Sequence, residues 1–245
     1  MSPAHSRPSR RRPFGLLAIV AAGGLATVAI VATNQASATA GADCADVHVI
    51  TARGSTEEPG EGSTGALVTQ VVNASDQTIS RAAVDYPATL TNYADSSAQG
   101  VSALTTQLTR QVEQCPDQEI VLAGFSQGAH VVLDVLGGGG GGVLCEPTPP
   151  ISASIASHVT AIATFGDPRH VVDQPSDLGT STRNGLFPRS DAQLRTLAGF
   201  ADRTQAFCDS GDPFCEKGLK LAVHSTYLDR HQNDAADFVL DKVGG

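Results

Sequence analysis

Gly124-Phe125-Ser126-Gln127-Gly128 follows a run of small and apolar residues, Ile120 to Ala123, and precedes an apolar helical pattern that reaches Leu136. A serine on a tight turn from strand to helix takes strained backbone angles and projects its hydroxyl out of the sheet. Side chains two residues to either side would meet neighbouring backbone, so glycine is needed at both places. Gly124 and Gly128 stand there. The same turn leaves the backbone N–H of Gln127 at a helix N-terminus, aimed where an oxyanion would form. A glycine-rich turn with an incidental serine is the plainer alternative. The strand before and the helix after favour a nucleophile.

The rest of the pattern repeats that alternation. Val47 to Ile50 reads as a strand, followed by the turn "ARGSTEEPGEG". Leu67, Val68, Val71, Val72 and Ile79 recur at helical spacing, and "RAAVDYP" reads as a short strand stopped by Pro87. Val101, Leu104, Leu108 and Val112 predict a second amphipathic helix, and "HVTAIATF" a further strand ending at Gly166-Asp167-Pro168. Tyr227, Leu228, Ala235, Phe238 and Val239 predict a closing helix. Short apolar strands separated by helices imply an α/β fold, a central parallel sheet flanked by helices on both faces. Chemistry in such sheets lies beyond the carboxyl ends of the strands. Six glycines, Gly137 to Gly142, lack the Lys-Ser/Thr of a phosphate loop and read as a flexible connection.

Residues 1–40 read as a secretory signal peptide removed on export. Arg10, Arg11 and Arg12 precede an apolar run from Phe14 to Ala32, and Ala38-Thr39-Ala40 gives an A-x-A cleavage site. The arginine pair also permits twin-arginine export. The alternative is an anchor that is never cut. Residues 41–245 then form one domain, extracellular and with no stable membrane insertion. The formal charge is −9, and cleavage would make the chain more acidic by removing Arg7, Arg10, Arg11 and Arg12. Such a surface repels phosphate backbones, which excludes nucleic acid as a partner. In an exported chain, Cys44, Cys115, Cys145, Cys208 and Cys215 are expected to form disulfides with one thiol left over. Proximity alone favours Cys208–Cys215. No C-x-x-C pair occurs and the histidines are scattered, so no metal site is expected.

A serine nucleophile needs a base and an orienting acid, in chain order Ser, Asp, His for this architecture. His130 lies within the helix after the serine and reads as structural. His158 and His170 flank a strand and read as ordinary surface groups, and His231 as the surface of the last helix. His224 lies in a loop just before that helix, where it could reach across the strand ends. Asp167 and Asp212 both remain candidate acids. Asp212 has the advantage of a loop that a Cys208–Cys215 bridge would stiffen.

The segments "CADVHVITARGSTE", "GFSQG" and "CDSGDPFCEKGLKLAVHSTY" together resemble the cutinase family of serine esterases, which includes acetylxylan esterases. The similarity spans nearly all of residues 41–245. The resemblance implies an α/β-hydrolase fold without a lid domain, with Ser126 as nucleophile, Asp212 as acid and His224 as base. It implies bridges Cys44–Cys115 and Cys208–Cys215, and an oxyanion hole formed by Gln127 with the backbone N–H and hydroxyl of Ser55. Seen without the family, Ser55 is a polar turn residue. Cys145 has no obvious partner. The glycine tract and "FGDPRHVVDQPSDLGTSTRNGLFPR" look closer to longer, acetylxylan-type members than to compact ones.

The expected protein is therefore a secreted monomeric serine esterase that needs no cofactor and works through an acyl-enzyme. Activity should rise through about pH 6 to 8, because the base must be neutral. Leu90, Leu221 and Val223 could line an apolar acyl groove or simply pack in the core. The groove reading favours cutin-like polyester or short- and medium-chain acyl esters. Removal of acetyl groups from plant polysaccharide is the alternative, with Tyr86, Tyr93 or Tyr227 as a sugar platform in a chain that has no Trp. A catalytically silent extracellular binding module is the alternative of another class.

Overall fold

The computed structural model describes residues 44–244, so the signal-peptide reading of residues 1–40 lies outside the described residues. Six parallel strands form one sheet: β1 (Val47–Ala52), β2 (Ile79–Ala83), β3 (Glu119–Phe125), β4 (Val159–Phe165), β5 (Asp177–Leu178) and β6 (Thr204–Phe207). Their spatial order is β2-β1-β3-β4-β6-β5. β1 is buried along its whole length and β3 along all but its ends, as expected where helices cover both faces.

On one face lie α1 (Gly65–Ala74) and α7 (Tyr227–Val243), packed on Val49, Val121, Ala163 and Phe165. On the other lie α2 (Tyr93–Gln114) and α3 (Gln127–Gly137), packed on Ile50, Leu122 and Ile162. Residues alternate between the two clusters along each strand because strand side chains point to opposite faces. On α2, Leu104, Leu108 and Val112 recur every four residues and form the buried stripe. Burial of each such leucine contributes about 1.5–3 kcal/mol. Shorter helices α4 (Ala153–Ala156), α5 (Asp191–Leu197) and α6 (Leu221–Ser225) complete the chain. Disulfides join Cys44 to Cys115 and Cys208 to Cys215, and Cys145 is a free thiol. No helix among the described residues is long and apolar enough to cross a membrane.

α1 and α3 leave the adjacent strands β1 and β3 toward opposite faces of the sheet. The carboxyl ends of β1 and β3 therefore open a crevice, the usual place for a site in such a sheet. Ser55 follows β1 and Ser126 follows β3.

Three sequence expectations are corrected. Ile79 does not continue α1, which ends at Ala74; it begins β2 and pairs with Val47. The "RAAVDYP" strand ends at Ala83, and the chain then turns inward so that the Val84 and Tyr86 carbonyls accept from the Arg53 guanidinium at 3.4 and 2.5 Å. The glycine tract is not a loose connection over its first four residues. Gly137 to Gly140 are buried, Gly139 bridges to Thr148, and Gly140 N–H donates to Asp134 Oδ2 at 3.2 Å.

Candidate active site

Ser126 sits between β3 and α3 with φ 54° and ψ −116°. A non-glycine residue in that region costs of the order of 1–3 kcal/mol, which the surrounding packing must sustain. Both glycines of the turn are sterically required. A Cβ on Gly124 would lie 2.6 Å from the Gly128 carbonyl oxygen. The result is a half-buried hydroxyl presented at the strand end.

Three distant side chains meet there. His224 Nε2 lies 2.9 Å from Ser126 Oγ, and His224 Nδ1 lies 2.7 Å from Asp212 Oδ2. His224 belongs to the short helix α6, where the sequence reading had a loop. Its ring packs between Phe125 and Phe214, with centroids 5.0 and 4.4 Å away, and is buried. Asp212 is fully buried. Its second oxygen accepts from the N–H groups of Phe214 at 2.6 Å and Cys215 at 3.1 Å. Burial acts to raise the Asp212 pKa. The hydrogen bond and charge of His224, joined by those two N–H donors, outweigh it and hold the carboxyl below its ordinary range. The loop that carries Asp212 is closed by Cys208–Cys215 and braced by Glu216, which accepts from Gly211 N–H.

Asp167, the other candidate acid, is engaged elsewhere. Asp167 Oδ2 pairs with Arg189, and Oδ1 accepts from Arg169 N–H at 2.8 Å. Asp134, in turn, lies between Arg169 Nη1 at 2.5 Å and Arg189 Nη2 at 3.0 Å, with His130 Nε2 at 3.0 Å. His130 is thus the buried structural histidine that its helical position suggested. His170 differs from expectation: it is buried, 3.7 Å from Asp177. His231 is half-buried and bonds Asp209 Oδ2 at 2.7 Å.

Across the crevice, Ser55 stands on the loop after β1. That loop is pinned from both sides: Arg53 Nε donates to the Glu57 carbonyl at 3.0 Å, and Gly54 N–H donates to Glu57 Oε2 at 2.5 Å. Ser55 Oγ donates to Gln127 Oε1 at 2.7 Å. Gln127 Nε2 continues the chain to Ser97 Oγ at 3.0 Å and Tyr93 O at 3.3 Å. Gln127 is the first residue of α3, so its backbone N–H has no partner within the helix. The sequence reading used only that N–H. It missed the fully buried side chain that ties the Ser55 loop to α2, because only the tertiary fold brings these residues together.

A cavity of ≈ 640 Å³ opens beside Ser126 and His224. Leu90, Leu186, Leu221, Phe125, Phe187 and Phe214 supply its apolar walls. Leu90 and Leu221 are 59% and 62% exposed, so they are wall and not core. Val223 is half-buried and does not line the cavity. Among the tyrosines, Tyr86 and Tyr227 are buried, and Tyr93 lines the cavity. Leu186, Phe187 and Phe214 were not anticipated, since each reaches the cleft from a loop without periodicity.

The cutinase family model matches residues 43–243. Cutinase 11 of Verticillium dahliae is 33% identical over 213 residues, covering 82% of this chain and 70% of its own. The acetylxylan esterase of Hypocrea jecorina is also 33% identical over 213 residues, covering 82% and 68%. The solved catalytic core domain of acetyl xylan esterase from Trichoderma reesei superposes with a TM-score of 0.73 at 31% identity, covering 82% of this chain and all of that one. With a parallel sheet of α/β-hydrolase type beneath the site, the chain belongs to the cutinase family and is a carboxylic ester hydrolase.

Proposed function

We propose that the chain is an exported serine esterase acting through Ser126, His224 and Asp212 on esters of short- to medium-chain acids. The observation that carries this reading is the unbroken hydrogen-bonded chain from Ser126 Oγ through the His224 ring to Asp212. As Ser126 Oγ attacks the ester carbonyl, its proton passes to His224 Nε2. Asp212 keeps the imidazole oriented and stabilises its charged form without taking the proton. The alkoxide of the tetrahedral intermediate is met by the N–H of Gln127 and that of Ser55. The Ser55 hydroxyl donates to Gln127 Oε1, so its first role is to hold the loop that carries the N–H. The alcohol departs with the proton held by His224, and water then cleaves the acyl-enzyme by the same route.

For the substrate, the wide apolar cleft beside Ser126 supports acyl chains longer than acetyl, whether in a cutin-like polyester or a soluble ester. The likeness to acetylxylan esterases supports the second reading, removal of acetyl groups from polysaccharide. Export is supported by the N-terminal sequence pattern and the two disulfides. Hydrolysis of p-nitrophenyl esters from acetate to palmitate, by wild type and Ser126→Ala, tests the proposal. Activity that peaks at butyrate or longer and vanishes in the variant is expected. Activity confined to acetate would move the substrate to acetylated polysaccharide, and equal activity of both proteins would overturn the nucleophile.

A further inference from the structure

Behind the cleft, on the α3 side of the sheet, lies a second, smaller cavity of ≈ 40 Å³. Its walls come from β4, β6, α5 and the segment that follows β4. Three of the side chains lining it carry a buried polar atom with no hydrogen-bond partner in the protein: Thr164 Oγ1, His170 Nε2 and Arg189 Nε. The residues are 1%, 7% and 6% exposed, so bulk solvent does not satisfy them. A buried polar atom without a partner is costly, and three around one small space call for a common explanation.

We propose that this cavity is a permanent internal solvent site, holding a small cluster of ordered waters that bridges Thr164, His170 and Arg189. Size agrees with that occupant. A water needs at least about 10–15 Å³ of such space, so the cavity has room for about three. The donor pattern agrees as well. Arg189 Nε–H can only donate. The Thr164 hydroxyl donates or accepts, and His170 Nε2 does one or the other according to which ring nitrogen carries the proton. Water pairs with a donor or an acceptor at each of the three atoms, whereas an anion only accepts. Charge points the same way. Arg169 and Arg189 are already balanced by Asp134 and Asp167, leaving no positive excess for an anion.

The site has a place in the machinery. Asp167, Arg169 and His170 line the internal cavity, while Pro168 between them lines the cleft beside Ser126. Gly166 stands so close to His224 that a Cβ there would lie 2.9 Å from Cε1. The water cluster therefore braces, from behind, the segment that forms one wall of the cleft and backs the imidazole.

A high-resolution crystal structure of the wild type grown in sodium bromide tests the assignment, together with melting curves of Thr164→Val. Solvent peaks within about 3.2 Å of Thr164 Oγ1 and Arg189 Nε, with no anomalous bromide signal, are expected. Thr164→Val should lose the peak nearest residue 164 and lower Tm by about 2–4 °C, while Thr164→Ser keeps the peak. A cavity without density, or a higher Tm in Thr164→Val, would mean a dry site and overturn the proposal. Bromide bound between Arg189 and His170 would overturn it in favour of an anion. Should the valine variant not fold, the wild-type density decides alone.

Discussion

Gly128 packs so tightly on Ala52 that a Cβ at residue 128 would lie 1.8 Å from the Ala52 carbonyl oxygen. The start of α3 is thereby pressed onto the end of β1, and this contact sets the distance between Ser126 and the Ser55 loop. Backbone cannot retreat as a flexible side chain can. Gly128→Ala should therefore cost at least about 3 kcal/mol, lowering Tm by roughly 6–12 °C, with loss of esterase activity. Gly199 is the control, because a Cβ there meets nothing within 4 Å. Gly199→Ala should keep full activity and gain about 0.4–1 kcal/mol from a less flexible unfolded chain. Differential scanning calorimetry of both variants checks the contrast.

The Ser55–Gln127 hydrogen bond gives a kinetic prediction. Gln127→Leu leaves the backbone N–H in place but removes the acceptor that holds Ser55 and the donor that reaches Ser97. A misplaced oxyanion donor costs up to the 100- to 1,000-fold seen when such a donor is deleted. We expect kcat on p-nitrophenyl butyrate to fall at least tenfold with KM little changed. Ser55→Ala should lose less, since its N–H remains. An unchanged kcat in Gln127→Leu would show that the loop is held by Arg53 and Glu57 alone.

The two disulfides should separate stability from activity. In the chain-entropy model, the Cys208–Cys215 bridge, with a separation of 7, contributes about 2–3 kcal/mol, and Cys44–Cys115, with a separation of 71, about 4. Only the smaller loop carries Asp212. Replacing Cys208 and Cys215 by serine should lower kcat as well as Tm, whereas replacing Cys44 and Cys115 should lower Tm with kcat preserved. Denaturation midpoints and steady-state rates on the two double variants measure this.

The core of the sheet was legible because its long strands, VHVITA, EIVLAGF and VTAIATF, are mostly apolar and rich in β-branched residues. β6 was not: Thr204-Gln205-Ala206-Phe207 is four residues with two polar ones, and it is a strand only because Ile162 to Phe165 offer it an edge. Ser126, Asp212 and His224 could be named as candidates from chain order, turn chemistry and family pattern. Their rival Asp167 could not be set aside by position, since its distant partner Arg189 reaches it only through the fold. The same reason hid the Asp134 network and the burial of His170. Helical spacing placed His130 correctly on the flank of α3, but nothing local identifies the two arginines that meet its neighbour Asp134.

That network makes acid the weak side of the fold. Burial of Asp134 acts to raise its pKa, yet His130, Arg189 and Arg169 together drive it far below the usual carboxylate range. Its folded pKa is thus lower than its unfolded value of about 3.9. The stabilisation is fully present above the unfolded pKa and is lost as pH falls below about 4 toward the folded value. Asp212, shifted in the same direction, adds to this slope. Asp134→Asn should destabilise by about 3–5 kcal/mol at pH 7, where it leaves Arg169 and Arg189 without their shared partner. The gap to wild type should narrow between pH 4 and 2, because Asp134 in the unfolded chain then takes up a proton that the folded carboxylate still resists. Urea midpoints measured across pH 7 to 2.5 decide the sign.

Tyr227 joins the loop that carries Asp212 to the helix that follows His224. Its buried hydroxyl oxygen accepts from Asp209 N–H at 2.8 Å and lies 3.2 Å from Cys215 Sγ, and its ring meets His224 edge-on at 6.1 Å. Tyr227→Phe keeps the ring and removes only that oxygen. The Asp209 N–H is then left without its acceptor, at a cost of about 1–3 kcal/mol. Because Asp209 begins the loop that carries Asp212, the loss should also reach the chemistry. We expect kcat to fall several-fold with KM unchanged, and the acid limb of the pH–rate profile to shift as Asp212 moves relative to His224. A variant that is less stable but has the wild-type pH profile would assign Tyr227 to packing alone. A shifted profile would make it a positioning residue for the pair.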